Sequence, residues 1–410
     1  MASICLYFKV HQPYQLKRYA TGEILKSHQY EDVEADAACI NKLADVCFLP
    51  ANKVILDAIK ANDFAFKVSF SISGVMLDLL EKYRPDIIAS FQQLVNTGCV
   101  DILGETYYHS LSSLHSAKEF ERQVFFHTQK IKQLFGIEPV VFRNTELIHD
   151  NNIAASVRRM GFKGLLCEGV QKFLQGNEVN RMYKSPGEDG ITLFLRNNSL
   201  SDDISFRFGN QEWQEHPLTA EKFATWIRSH STQTEVINIF LDYETFGLYK
   251  DIASGIFDFL AALPTAILHN KNWSFETARE LLADHTDYPV YDVNQTISWD
   301  DNSRQACVWS ENAAQHNTLK KLYSIENLII MNNDPVTTEY WRRLQAADYI
   351  YYMADGRSMH EGNRYLNPFS NSDDACMYYR NILTDLETTI IQKALAGTKS
   401  SLHQPILTLY

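Results

Sequence analysis

The chain has 410 residues, 45% hydrophobic and 21% charged, with a formal net charge of −12 and a pI near 5.6. No apolar run approaches the roughly 20 residues that span a bilayer, and the start, MASICLYFKVHQPY, has no basic leader and is broken by Lys9 and His11, so it does not read as a secretory signal. Basic residues are scattered in pairs such as Arg158-Arg159 and Arg342-Arg343 rather than in a stripe, which excludes nucleic acid and membrane as expected partners and favours a neutral or cationic ligand.

The length exceeds what one hydrophobic core usually supports, so a large domain with a smaller one is expected. Seven cysteines lack CxxC spacing and are odd in number. That argues against a disulfide framework and a zinc ribbon, and fits a reducing compartment such as the cytoplasm. Aromatics reach 12%, suited to stacking on sugar faces but equally ordinary core material.

In chain order, short β-rich runs alternate with longer helical patterns. Strands are expected at Ile4–Val10, Ala65–Ile72, Val100–Leu103, Val140–Arg143, Gly164–Cys167, Thr192–Leu195 and Val236–Leu241. Helical spacing is seen over Asn41–Ala61, Val75–Val95 and Ala117–Phe135, with a further helix following Asp150 as N-cap. Strands alternating with helices indicate a parallel α/β sheet, closed as a barrel or open. After Pro289 comes a turn-rich segment, YDVNQTISWDDNS, and then helix: from a Ser310 cap through Met331, Thr337–Asp355 and Asp373–Ala396. The expected division is a barrel over 1–290 and a helical bundle over 291–410.

The strand ends carry the chemistry. The first ends in HQPY with His11, the third in GETYYHS with Glu105 and His109, the fourth in RNTEL with Glu146, the fifth in Glu168, and the seventh in Asp242 and Glu244. In parallel barrels the loops after the strands converge on one face, so acids and histidines from five strands would meet at one mouth. A single acid there would cap a loop; five together point to catalysis.

HQPY, GETYYHS, FRNTEL, LDYETFG and CVWSENAAQ stand in the order of the five sequence regions of glycoside hydrolase family 57, and the chain resembles its α-amylase-like members over about residues 4–325. The resemblance implies an incomplete (β/α)7 barrel with parallel strands, followed by a helical region that contributes to the cleft. It implies action on α-glucans with retention of configuration, without a cofactor. It assigns Glu146 as nucleophile and Asp242 as acid/base. The chain departs from glucanotransferase members at Phe142-Arg143-Asn144, where they carry a tryptophan, which counts against a transferase-like acceptor subsite.

Elementary chemistry agrees with this pair. One carboxyl must be ionised to attack and the other must keep its proton near neutral pH. Asp242, on an apolar strand beside Glu244, is expected to have a raised pKa, and Arg143 and Asn144 are expected to hold Glu146 ionised. His11 and His109 would bind sugar hydroxyls, with a satisfied core histidine as the plainer alternative. Glu105 would orient His11 or a hydroxyl, and Glu244 would act on Asp242 or merely cap a turn. Trp299 and Trp309 flank Asp300, Asp301 and Asn302. Trp309 is the expected stacking platform, with Asn312 and Gln315 one turn on, against core packing. Arg207 and Trp213, in the polar and aromatic segment 199–213, would line donor subsites or lie in a solvated loop.

Two other classes compete. Metal-dependent deacetylases and zinc α-mannosidases use related barrels, but HQPYQLKRY offers one histidine and no acid, so no metal is expected. A non-catalytic α-glucan-binding protein would not need both Glu146 and Asp242. Within the family, α-amylase, 4-α-glucanotransferase, branching enzyme, amylopullulanase and α-galactosidase share these motifs. Neither the choice among them nor the oligomeric state is written in one sequence.

Overall fold

A computed structural model of the chain describes residues 2–230, 234–282, 287–299, 309–354 and 366–401, the side chains of 396–401 excepted. Among the described residues the strands are β1 Ala2–Val10, β2 Val68–Ile72, β3 Val100–Ile102, β4 Val141–Arg143, β5 Gly164–Glu168, β6 Tyr183–Lys184, β7 Thr192–Arg196, β8 Val236–Asp242 and β9 Trp273–Phe275. Seven form one parallel sheet in the order β3-β2-β1-β8-β7-β5-β4. These are the seven expected from sequence. The two short additions, β6 antiparallel to β7 and β9 parallel to β1, are too brief to show a period of their own.

The sheet curls until its edges meet at one residue. The Gly104 N–H donates to Val141 O (2.9 Å) and the Arg143 N–H donates to Gly104 O (2.8 Å), joining the end of β3 to β4. The ring is loosest between β7 and β8, which pair only at Arg196 and Asn238. Side chains span that seam: Asn238 Nδ2 donates to Leu195 O at 3.0 Å, and Arg196 Nε donates to Phe240 O at 3.1 Å. The result is an incompletely closed seven-stranded (β/α) barrel followed by helices.

Period-two alternation sets what points where. Ile4, Leu6, Phe8 and Val10 of β1 face a shell of helices, in a core shared with Phe70, Ile239 and Leu241. Cys5 and Tyr7 face the barrel interior with Val141, Leu166, Phe194, Val236 and Phe240. Continuing the inward parity gives Lys9, Ser71, Arg143, Arg196 and Asp242, so the interior changes from apolar to charged as it approaches the carboxyl ends of the strands.

The helices follow their caps. Ser116 and a left-handed Gly136 bound Ala117–Phe135 as expected, and Asp150 accepts from the Asn152 and Ile153 N–H groups to start Asn151–Arg159. The segment 75–95 is two helices, because Pro85 disfavours helical conformation at Arg84. The helical segment near 41–61 begins earlier, at Val33 under an Asp32 cap. Helix 313–324 is capped by Asn312 with Gln315 in a capping box, two residues beyond the expected Ser310.

After residue 309 the helices pack against β4, β5 and β7 in a second core that joins Phe142, Leu165 and Leu193 to Leu322, Trp341, Ile350 and Tyr379. The short helix Ala347–Tyr351 reaches the mouth, where the Ala347 N–H donates to His109 O at 3.0 Å. The long helix Ser372–Ser401 contributes the buried Asp385, which accepts from Tyr30 Oη and bonds His28 Nδ1, tying down the loop after β1. Among the described residues no helix is long and apolar enough to cross a membrane.

Gly247, which closes the LDYETFG turn, has φ +108°, and a Cβ there would lie 1.8 Å from the Val46 carbonyl oxygen. Gly247→Ala should cost about 1–3 kcal/mol through strain and overlap. Gly98→Ala, where φ is +76° but nothing lies within 4 Å, should cost less. Thermal unfolding of the two variants checks the order.

Candidate active site

Glu146 sits in a tight turn after β4, with φ +52°, a conformation that L side chains rarely adopt. Three groups converge on its carboxylate. His109 Nε2 lies 2.6 Å and Lys9 Nζ 3.2 Å from Oε1, and Trp299 Nε1 donates to Oε2 at 2.7 Å. Arg143 Nη2 stands 3.8 Å away. Burial alone would raise the carboxyl's pKa, but Lys9, the His109 hydrogen bond and Arg143 outweigh it and hold the group well below the usual carboxylate range. Of the two neighbours expected to keep Glu146 ionised, Arg143 does so. Asn144 turns away, donating from Nδ2 to Ile148 O at 2.8 Å and Ser113 Oγ at 3.0 Å.

Asp242 ends β8 in register with Lys9. Its Oδ1 lies 2.8 Å from the same Lys9 Nζ, and its side chain is 32% exposed against 11% for Glu146. One ammonium therefore bridges both carboxylates, and the Glu146 and Asp242 oxygens it touches are at most about 6 Å apart. Burial, and next the Asp242 anion, push Glu244 up to about 8, with Lys9 opposing. Glu244 is 2% exposed, so it has no water to stabilise its charge, whereas Asp242 has both solvent and a cation.

The two histidines stack, ring centroids 3.9 Å apart at 24°. His109, with φ +51°, lies between Glu146 and Glu105 Oε2 (3.3 Å). Burial opposes its charge, but hydrogen bonds to both carboxylates raise its pKa. Glu105 thus serves His109 and not His11. Burial would raise the Glu105 carboxyl, yet its contacts with His109 lower it. The Glu105 N–H is itself fixed by His127 Nδ1 at 3.3 Å. Ser73 Oγ accepts from the Met76 N–H and is hydrogen-bonded to His11 Nδ1 at 2.7 Å. His11 Nε2 then donates to Asp348 at 3.0 Å. Buried beside His109, His11 is pushed down to about 4 and stays neutral.

Sequence reasoning missed Lys9 and Asp348. Lys9 was legible from strand parity, two residues before His11. Asp348 lies 337 residues from His11 on a helix that read as bundle core, and carried no local signal. Trp299 is held by Glu146 beneath the mouth. Its ring has Lys9 at 5.4 Å, Arg143 at 5.2 Å and Arg196 at 5.4 Å from the centroid. Trp309 is 2% exposed within the second core, which core packing accounts for. Arg207 bonds Asp203 and lies over Trp213, which packs edge-on to Trp226 on the outer helices; these described contacts do not reach Glu146 or Asp242. Asp300, Asp301, Asn302 and the first two residues of CVWSENAAQ lie outside the described residues.

No metal was expected from the first strand end alone. Among the described residues, one donor atom from each of His11, His109 and Asp348 lies within 4.8 Å of the others. Each is already engaged in the hydrogen bonds above, with Lys9 and Arg143 beside them.

Residues 5–294 match the model for glycosyl hydrolase family 57. A protein of Methanocaldococcus jannaschii described as "Putative alpha-amylase" is 36% identical over 399 residues, covering 94% of this chain and 84% of that protein. The fold is similar to that of a branching enzyme from Thermococcus kodakaraensis (TM-score 0.69, 12% identity, covering 97% of this chain and 92% of that one). It is also similar to the α-amylase AmyC of Thermotoga maritima (0.64, 12%, 97% and 94%). A 4-α-glucanotransferase from Thermococcus litoralis gives 0.68 at 14% identity, with 85% of this chain covering 56% of that one.

His109 charged between two carboxylates has a signed consequence. A raised folded pKa contributes stability fully below the unfolded value of about 6.5, and that contribution is lost as pH rises through the folded value. His109→Gln should therefore cost about 3 kcal/mol or more at pH 5–6, where a buried pair loses its cation. The gap to the parent protein should narrow above pH 6.5. Urea unfolding midpoints across that range measure it.

Proposed function

The chain belongs to glycosyl hydrolase family 57, and from that premise we propose that it is a retaining hydrolase of α-1,4-glucosidic bonds in starch- or glycogen-type glucans and maltooligosaccharides. The observation that carries this reading is the spacing of Glu146 and Asp242. Two carboxylates bridged by one ammonium and at most about 6 Å apart suit the ~5–5.5 Å of retaining enzymes rather than the ~6.5–9.5 Å of inverting ones.

In this mechanism Glu146, kept anionic by Lys9, His109 and Arg143, attacks the anomeric carbon from one face. Asp242 gives its proton to the departing glycosidic oxygen, so that bond breaks as the Glu146–carbon bond forms. Asp242, now a carboxylate, takes a proton from water. The resulting hydroxide equivalent releases the sugar and restores Glu146. His11 and Asp348, fixed to one another, offer polar groups to sugar hydroxyls, as do His109 and Glu105 below them. Trp299 orients the nucleophile through its indole N–H. Arg207 and Trp213 would act further out, through chains longer than one glucose.

The first 290 residues would carry the chemistry and the helices after 291 would complete the cleft, with Asp348 as their contribution. The description of the M. jannaschii relative favours amylase over the 4-α-glucanotransferase and branching activities named for the structural neighbours. The six described cysteines are free thiols, which suits the cytoplasm.

Incubation with soluble starch and with a defined maltooligosaccharide, products resolved by chromatography, tests the reading. Only shorter products are expected, and Glu146→Gln and Asp242→Asn should each lose roughly 10²–10⁴-fold in rate. A chelator should leave the rate unchanged. Longer products as well would make the protein a glucanotransferase. Binding without turnover would make it a glucan-binding protein.

A further inference from the structure

We propose that Lys9 is a positioning residue for this reaction, a buried cation that holds Glu146 and Asp242 together and favours the carboxylate form of both in the resting protein. The proposal rests on the reading of those two acids as the catalytic pair. Its basis is geometric. Nζ lies 3.2 Å from Glu146 Oε1 and 2.8 Å from Asp242 Oδ1, and it stands over the Trp299 ring at 5.4 Å from the centroid. Lys9 is the inward residue of β1 directly above Tyr7, and its backbone is fully occupied by pairing to β2 and β8. The strand needs no charge at that point. With a side chain only 14% exposed, an ammonium there is tolerated because its partners are anions.

Each neighbouring element brings ionisable groups to Nζ. Glu146 and Arg143 come from the β4 side, Asp242 and Glu244 from the end of β8, Asp348 from the C-terminal helices, and Tyr7 lies beneath on β1. The negative groups outnumber Arg143, so the net field favours the ammonium.

A retaining enzyme places its scissile bond between the two carboxylates, where Nζ sits in the free protein. Sugar entry must therefore part Nζ from Asp242. The first half-reaction needs a proton on Asp242, which Lys9 opposes. The second needs the Asp242 carboxylate as base and Glu146 as a leaving carboxylate, both of which Lys9 favours. Lys9 should thus set the pH window of the enzyme and the balance between its two steps.

The test is Lys9→Met, with Lys9→Gln as a second neutral variant in case the first fails to fold and Lys9→Arg as the charge-retaining one. The profile of kcat/KM against pH on a maltooligosaccharide reports the free enzyme. With the cation gone, both limbs should move to higher pH, each by about one unit or more, and Arg should restore them in part. A merely structural lysine would change the height of the profile and leave its limbs in place, and that result overturns the proposal. A second readout needs no turnover: ¹³C NMR titration of carboxyl-labelled protein, with Glu146→Gln and Asp242→Asn to assign the two signals. Upward movement of both titrations in the neutral variants supports the proposal, and coincidence with the parent protein overturns it. If the parent protein turns over no glucan, the proposed reaction fails while the titration still decides the role of Lys9.

Discussion

The mouth of the barrel is a set of buried charges that are stable only as a group. Lys9, Arg143 and His109, its pKa raised by the acids around it, lie among Glu105, Glu146 and Asp242, and Asp348 is hydrogen-bonded to His11 at their edge. An isolated ion in such a place would cost many kcal/mol, and even a single pair barely recovers its desolvation. What makes the arrangement affordable is sharing: Lys9 serves two acids, Glu146 accepts from two bases and an indole, and His109 lies between two carboxylates. A second unit adjoins it, where Arg196 joins Glu168 at 3.4 Å and Asp202 at 2.6 Å, with its guanidinium 5.4 Å from the Trp299 ring centroid.

This balance demands a backbone that will not relax. Residues His109, Glu146 and Leu147 all have positive φ, a departure that costs of order 1–3 kcal/mol each and persists only where the surroundings enforce it. The enforcement is visible. Gly104 ties the base of the His109 loop to β4, and Asn144 clamps the Glu146 turn through Ile148 O. The His109 carbonyl is held by Ala347 of the C-terminal region. The helices after residue 309 thus help hold the strained His109 turn through Ala347, as well as supplying Asp348. Their shared core with β4, β5 and β7 fixes them to the half of the barrel that carries Glu146.

The strands and most helices were legible in the sequence because their signals are local: apolar runs, period and caps. Pro85, which divides 75–95, is equally local and could have been weighed more heavily. The acids and histidines at the strand ends were legible by type and order. Their roles were not, because a role depends on what stands opposite. Asp242 and Glu244 are separated by one residue, yet β8 ends at Asp242, beside Lys9 and solvent, and the turn Tyr243–Thr245 carries Glu244 into a buried position where its carboxyl is pushed up to about 8 by burial and then by the Asp242 anion. Glu105 belongs to the third strand end and His11 to the first, and His109, stacked on the His11 ring, takes the hydrogen bond of Glu105. Lys9 was hidden by habit, as a charge inside an apolar strand, although its parity with Cys5, Tyr7 and His11 places it inside.

The unequal exposure of the two carboxylates bears on what the enzyme can accept. Glu146 is enclosed by His109, Trp299, Lys9 and Arg143, and in the proposed mechanism nothing but the anomeric carbon would need to reach it. Asp242 keeps nearly a third of its side chain open, and in that mechanism it would meet the leaving oxygen and later the incoming one. Microscopic reversibility requires both to arrive from the Asp242 side, whether the incoming oxygen belongs to water or to a sugar hydroxyl. Hydrolysis and transfer therefore share the whole of the buried charge network. On that mechanism they part only in which oxygen, of water or of a sugar hydroxyl, arrives at the exposed side of Asp242.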